Sequence, residues 1–150
     1  MDEHVPLGSH RDQASSCFNQ TWAYLDLPDR TPEQTQSMIH VAHTSYWHWT
    51  QVDDHTALNI SIGLWMLSRV YAVAHLPDRA IQYAKECITL SQENSLTAFY
   101  VGYAYEALAR ATAVGGDDAS DIITVARDLS QSIEDDEEKK MLTADLDTVG

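Results

Sequence analysis

The 150-residue chain has few of the features that identify the large enzyme families. It contains two cysteines, Cys17 and Cys87, and no CxxC, GxSxG, HExxH, GxGxxG or phosphate-binding glycine loop. Two cysteines do not make a disulfide framework, and Cys87 lies among apolar residues at helical spacing, which is typical of a buried thiol. The sequence therefore offers no motif for nucleotide binding, serine hydrolysis or zinc proteolysis.

Basic residues are scarce, and the charge excludes some partners. Nine Lys and Arg stand against 23 Asp and Glu, giving a formal net charge of −14. Because such a field repels phosphate, we expect neither nucleic acid nor a membrane as a partner, and a basic protein or peptide, a cation or a small molecule stays open. The longest apolar stretch, residues 60–74, is too short and too polar to span a bilayer. Residues 1–4 lack the character of a signal peptide, so we expect a soluble, cytoplasmic protein.

No segment shows the sustained alternation that is typical of β-strands. The spacing of the apolar residues instead predicts an all-α fold of about seven helices, arranged as stacked antiparallel helical hairpins. We expect a flexible arm over residues 1–11 and a single domain over residues 12–150. The predicted elements of that domain are hairpins over about 13–50, 56–92 and 95–132, followed by a capping helix over 134–148.

One short phrase occurs twice, about forty residues apart. Ser68–Ala74 (SRVYAVA) recurs as Ala109–Gly115 (ARATAVG), so that Arg69 and Arg110 are 41 positions apart. Each copy is followed by a break and then by a helical run. A repeat of this length is typical of stacked helical hairpins, in which no unit can bury its apolar face alone.

The pattern of small and large residues around the first copy resembles that of the tetratricopeptide-repeat family. The match covers residues 62–92 well and residues 96–133 loosely. The chain is also similar to a group of small bacterial tetratricopeptide-like proteins, a likeness that brings no activity with it. The resemblance implies a stack of α-helical hairpins with a concave face, and it adds no catalytic residue. The residues that carry the family pattern are Leu64, Leu67, Ser68, Tyr71, Ala80, Ala84 and Cys87, and the bacterial likeness lies in residues 39–43, 48–49, 68–72 and 105–110.

Three histidines on the second predicted helix are candidates for chemistry. His40 and His43 lie one turn apart on the same face, whereas His48 lies roughly 80° from His40 and about 140° from His43 around the helix axis. We expect His48 to face a partner or the third helix. A pair of histidines at this spacing can share a divalent metal with a carboxylate from another helix, and Glu106 is the candidate carboxylate.

Aromatic residues extend this candidate pocket. Tyr46 and Trp47 follow His43 by one turn and are interpreted as part of the pocket floor. Tyrosine and tryptophan need partners for their OH and NH groups when they are buried. The aromatics of the middle helices therefore favour a polar, aromatic-lined groove over a purely aliphatic core.

Glu106 has two interpretations, and the sequence leaves both open. Arg110 follows it by four residues, which is the favourable order for an ion pair within a helix, and Arg69 occupies the repeat-equivalent position. One carboxylate that holds two arginines between stacked hairpins explains all three residues without any ligand. Alternatively, the three residues form the charged wall of a pocket that faces His40 and His43.

Two functions of different classes follow from these observations. The first is a non-enzymatic interaction module, whose concave face, lined by the second, third and fifth helices, binds a protein or peptide and favours a basic one. The alternative is a small metal-dependent or acid–base enzyme built on His40, His43 and Glu106, with a divalent metal as its cofactor. A homodimer through the first helix is a further expectation, because no other predicted helix clearly covers its apolar residues Phe18 and Trp22.

Overall fold

The computed structural model describes residues 8–150 of the chain, and within that range it contains helices and no strands. The all-α prediction is therefore confirmed. Most of the predicted flexible arm falls on residues 1–7, which lie outside the described residues. The last residues of that arm, His10 and Arg11, belong to the first helix, which begins three residues earlier than predicted.

Seven helices are present between residues 8 and 150, as predicted. The first helix packs against the second, and from the third helix to the seventh each helix packs against the next, as in stacked hairpins. None of them is long and apolar enough to cross a membrane. Their bounds are α1 His10–Leu25, α2 Pro32–Gln51, α3 Ala57–Val73, α4 Pro77–Glu93, α5 Ala98–Val114, α6 Ser120–Gln131 and α7 Asp136–Asp147.

The chain divides into two compact units, which for the described residues are 8–55 and 56–150. In the first unit α1 packs along α2. In the second unit α5 is central, because it contacts each of the other four helices, α3, α4, α6 and α7. The sequence-based assignment of residues 12–150 to one domain stays a prediction.

The first unit is held by capping and by a buried hydrogen bond between its helices. Ser9 caps α1 by accepting the backbone N–H of Asp12. Thr31 and Gln34 form a capping box at the start of α2, which satisfies backbone donors that the helix itself leaves unpaired. The buried Ser45 hydroxyl donates to the backbone carbonyl of Ala14 at 2.8 Å. These contacts fix the antiparallel pairing that brings the start of α1 beside the end of α2.

The sequence repeat is visible as a structural repeat in the second unit. Helices α3 and α5 are both 17 residues long. The first residue of α5 lies 41 positions after the first residue of α3, and the same offset separates their last residues. Both helices end in the same way, with a left-handed residue just beyond the last turn. That residue is His75 (φ 60°) after α3 and Gly116 (φ 87°) after α5, so only the second copy uses the residue that pays no steric penalty there.

Small side chains let α3 and α4 approach closely. The Ser68 hydroxyl donates to the carbonyl of Ala80 at 2.8 Å, and both residues are fully buried. Cys87 is 1% exposed, as its sequence neighbours predicted, and its thiol donates to the carbonyl of Ser61. Because burial raises the pKa of the Cys87 thiol, this cysteine is a packing residue rather than a nucleophile.

Candidate functional site

A buried carboxylate lies at the middle of the central helix α5. The side chain of Glu106 is 0% exposed. Its Oε1 atom is 2.5 Å from Nη2 of Arg69 and 3.1 Å from Nη2 of Arg110, and its Oε2 atom accepts the indole N–H of Trp65 at 3.3 Å. We call these four residues, Trp65, Arg69, Glu106 and Arg110, the Glu106 cluster.

The repeat explains why these four side chains meet. Glu106 stands 41 positions after Trp65, and Arg110 stands 41 positions after Arg69. In each helix the arginine follows its partner by four residues, which places both side chains on one face. Because α3 packs against α5, these two faces come together, and a residue pair from each copy builds one cluster.

The cluster extends to the last helix. Nη2 of Arg110 also donates to the carbonyl of Asp145 at 3.1 Å and to the hydroxyl of Thr148 at 2.7 Å. On the same helix face, the Tyr103 hydroxyl donates to Oδ2 of Asp145 at 2.5 Å. Burial and the neighbouring Asp145 carboxylate raise the pKa of Tyr103 above its usual range, so the phenol keeps its proton and remains a donor. The network therefore joins α3, α5 and α7.

Four donor groups contact the Glu106 carboxylate, three at Oε1 and one at Oε2. A carboxylate has about four acceptor positions, and Glu106 accepts from Trp65, from Arg69 and from both Nε and Nη2 of Arg110. The guanidinium of Arg69 also lies over the Trp65 ring, 4.9 Å from its centroid, which is a cation–π geometry. Within residues 8–150, Nε of Arg69 is the one buried side-chain nitrogen or oxygen without a hydrogen bond.

The candidate pocket residues from the sequence fall in both units. Arg69, Glu106 and Arg110 meet in the second unit, so the internal ion network that was one of the two interpretations is observed. His40 lies exposed on α2. His43 and Tyr46 lie on the same helix, and the side chains of both are half-buried and have interaction partners. Among the described residues, no three His, Cys, Asp or Glu side chains are grouped so that they could hold a metal ion.

An exposed cluster in the first unit was missed by the sequence reasoning. Nδ1 of His48 is 2.8 Å from Nδ1 of His10, and the Trp47 ring, 53% exposed, packs edge-on against both imidazoles. We call His10, Trp47 and His48 the His10–His48 cluster. His48 thus contacts His10 of α1, a contact that the sequence did not predict. Ser9 with Asp12 three residues later is the N-cap signal that extends α1 to His10.

A cleft of about 350 Å³ opens in the second unit, between the start of α5 and the junction of α6 with α7. Phe99 and the buried Ile133 supply apolar surface, and three carboxyl side chains lie beside it. Asp135 is used locally, because it caps α7 by accepting the backbone N–H of Glu138. The lining residues are Thr97, Ala98, Phe99, Ser132, Ile133, Glu134, Asp135 and Glu138.

The chain has no match among protein-family models, among curated proteins or among solved structures. The helical-hairpin architecture is shown by the structure, whereas membership of the tetratricopeptide family is not. Three features of the described residues bear on function, namely the Glu106 cluster, the His10–His48 cluster and the cleft beside Ile133.

Proposed function

We propose that this chain is a tetratricopeptide-like interaction module that binds a basic segment of another protein. The packing in residues 56–150 supports the comparison with that family. Helices α3, α5 and α7 contact in succession, and the intervening helices α4 and α6 pack beside the central α5. Such stacks present extended surfaces for partners, and they are used mainly for binding.

The observation that carries this proposal is the burial of Glu106 together with its pairing to Arg69 and Arg110. A general base must be able to reach the proton that it removes, and a metal ligand needs a free lone pair. The Glu106 carboxylate is fully buried and accepts hydrogen bonds from Trp65, Arg69 and Arg110. It is therefore a brace that fixes the spacing of α3 and α5, rather than a reactive group.

The alternative function, a metal-dependent or acid–base enzyme at His40, His43 and Glu106, gains no support of this kind. Its proposed carboxylate is bound to two guanidinium groups. Within residues 8–150 no group of three metal-ligating side chains is present. No observation therefore favours it over the binding function.

The cleft supports a basic partner. Glu134 and Glu138 line it, and their carboxylates make no hydrogen bond or ion pair with any described residue. Phe99 and Ile133 offer apolar surface next to these charges. A lysine or arginine side chain has both an apolar stem and a cationic head, which suits such a lining. The net charge of −14 would also speed the approach of a basic partner.

The test is a binding titration with defined peptides. Fluorescently labelled lysine- and arginine-rich peptides that also carry apolar residues are titrated with the full chain, and anisotropy is read at low and high salt. We expect saturable 1:1 binding that weakens with salt. The Glu134→Gln/Glu138→Gln variant should bind about tenfold more weakly, equivalent to about 1.4 kcal/mol.

A matched variant separates cleft recognition from general attraction. Asp117→Asn/Asp121→Asn removes the same number of exposed charges from the turn before α6 and from its first turn. We expect this control to bind nearly as tightly as the wild type. An equal loss in the two variants, or no peptide that binds, would contradict the proposed recognition.

A further inference from the structure

The His10–His48 cluster holds two metal-ligating side chains at close range. His10 is the first residue of α1, and His48 lies in the last turn of α2. The antiparallel pairing of the two helices brings their imidazoles together, with the two Nδ1 atoms 2.8 Å apart and the ring centroids 5.1 Å apart. The contact joins residues 38 positions apart, so it is a tertiary feature of the first unit.

The separation of the two nitrogen atoms matches one coordination geometry. With metal–nitrogen bonds of about 2.0–2.1 Å, two ligands at a right angle lie about 2.8–3.0 Å apart, whereas two ligands in a tetrahedral site lie about 3.3–3.4 Å apart. The observed 2.8 Å is the length of the hydrogen bond between the two rings, and it also lies within the range for neighbouring positions of a square-planar or octahedral ion. Among divalent ions that bind imidazole, this geometry is typical of Cu²⁺ and Ni²⁺.

The imidazoles are in a suitable state to bind a cation. A hydrogen bond between two Nδ1 atoms needs one N–H and one lone pair. When both Nδ1 atoms bind a metal, the donating ring carries its proton on Nε2 instead, so no proton has to be lost.

The surroundings leave room for a hydrated ion. His10 is exposed, and the neighbouring Arg11 is paired with Asp54 at 3.0 Å, which offsets its charge. Arg11 also lies over the Trp49 ring. Because no third His, Cys, Asp or Glu among the described residues completes a ligand set, water supplies the remaining positions. The net charge of −14 attracts dications to the whole surface.

We propose that His10 and His48 form a two-histidine binding site for a divalent ion that favours tetragonal coordination, Cu²⁺ or Ni²⁺. The bound ion clamps the start of α1 to the last turn of α2. This site is separate from the proposed peptide-binding function, and it differs from the predicted set of His40, His43 and Glu106 in both residues and geometry.

The test is a Cu²⁺ titration of the full, tag-free chain, read by tryptophan fluorescence and by electron paramagnetic resonance. Because the Trp47 ring contacts both imidazoles, one equivalent of bound Cu²⁺ should quench its emission, and the Trp47→Phe variant should lose that quenching but still bind. The resonance spectrum should be tetragonal and show coupling to two imidazole nitrogens. A spectrum without coupling to histidine nitrogen would overturn the proposal.

Variants identify the ligands. His10→Ala and His48→Gln should each weaken Cu²⁺ binding at least about tenfold, since even the loss of an outer-shell partner has an effect of that size. His40→Ala is the matched control, because it removes another exposed histidine from the same helix and should leave the affinity unchanged. Circular dichroism verifies that each variant keeps its helices. Wild-type affinity in His10→Ala or His48→Gln, or an equal loss in His40→Ala, would refute the assignment.

Discussion

The second unit of the molecule contains a buried carboxylate paired with two arginines, and the first unit contains an exposed arginine–carboxylate pair. In the second unit, Glu106 is 0% exposed, and its two arginines, Arg69 and Arg110, are about 15% exposed. In the first unit, the side chains of Arg11 and Asp54 are 49% and 85% exposed. Similar groups at similar distances therefore lie in very different surroundings.

Burial determines how much each ion pair matters. A buried ion whose partner is removed cannot be rehydrated, so that breaking such a pair costs several kcal/mol. Exposed partners are already solvated, and their pairs contribute little. The Glu106 cluster is therefore a structural centre of its unit, whereas the polar groups around His10 and Asp54 remain available to ions and partners in solution.

The largest effect is expected for Glu106→Ala. It leaves two nearly buried guanidinium groups without their carboxylate, and it should lower the free energy of unfolding by about 3–5 kcal/mol. Chemical denaturation followed by circular dichroism measures this change. A loss below about 1 kcal/mol would show that Glu106 carries no structural role and would reopen the pocket interpretation.

Tyr103→Phe should have an intermediate effect. It removes the hydroxyl group on α5 that donates a hydrogen bond to the Asp145 carboxylate. A hydrogen bond to a charged group contributes about 1.5–3 kcal/mol to stability. The loss should appear in the same denaturation experiment. Tyr105→Phe is the control on the same helix, because the Tyr105 hydroxyl accepts only an exposed hydrogen bond, from Gln92. Equal losses in the two variants would contradict the link between α5 and α7.

Asp54→Asn should have a small effect. The Arg11–Asp54 pair is exposed to solvent, and such pairs contribute about 0.2–1 kcal/mol. Raising the salt concentration should remove most of even that difference, because salt screens surface charges. If Asp54→Asn destabilised the chain as much as Glu106→Ala does, burial would not explain the difference in stability between the Arg11–Asp54 pair and the Glu106 cluster.

The smallest effect is the pH dependence of the first unit. Because the pKa of folded His48 is lowered by burial and by His10, the unfolded chain binds a proton to this residue more readily. The stability should therefore fall as the pH drops from about 6.5, the ordinary imidazole value, through the lower folded value. Denaturation between neutral and mildly acidic pH, with EDTA present, should show a flatter profile in His48→Gln than in His40→Gln. Identical profiles would contradict this assignment.

The helices and three of the four residues of the Glu106 cluster could be predicted because they rest on local or repeated patterns. Glu106 and Arg110 are one turn apart, and the 41-residue repeat places Arg69 beside them. The contacts of Arg110 with Asp145 and Thr148 could not be predicted, because they depend on where α7 packs and no repeat relates α7 to α5.

The His10–His48 cluster could not be predicted from the sequence for a related reason. The polar residues before Gln13 do not show helical periodicity, so the sequence predicts a first helix that begins near Gln13 and places His10 in the arm, whereas α1 begins at His10. Trp47 illustrates a second limit. Its size and helical position favour burial, yet its side chain is 53% exposed beside two imidazoles.

The central claim is that Glu106 and its two arginines form a structural brace and not a reactive site. The most direct test is the change in unfolding free energy caused by Glu106→Leu in two backgrounds, the wild type and Arg69→Met/Arg110→Met. We expect destabilisation in the wild type, where two charges lose their partner, and stabilisation in the arginine-free background, where a buried carboxylate without a partner is replaced by an apolar residue. The same change in both backgrounds would contradict the account.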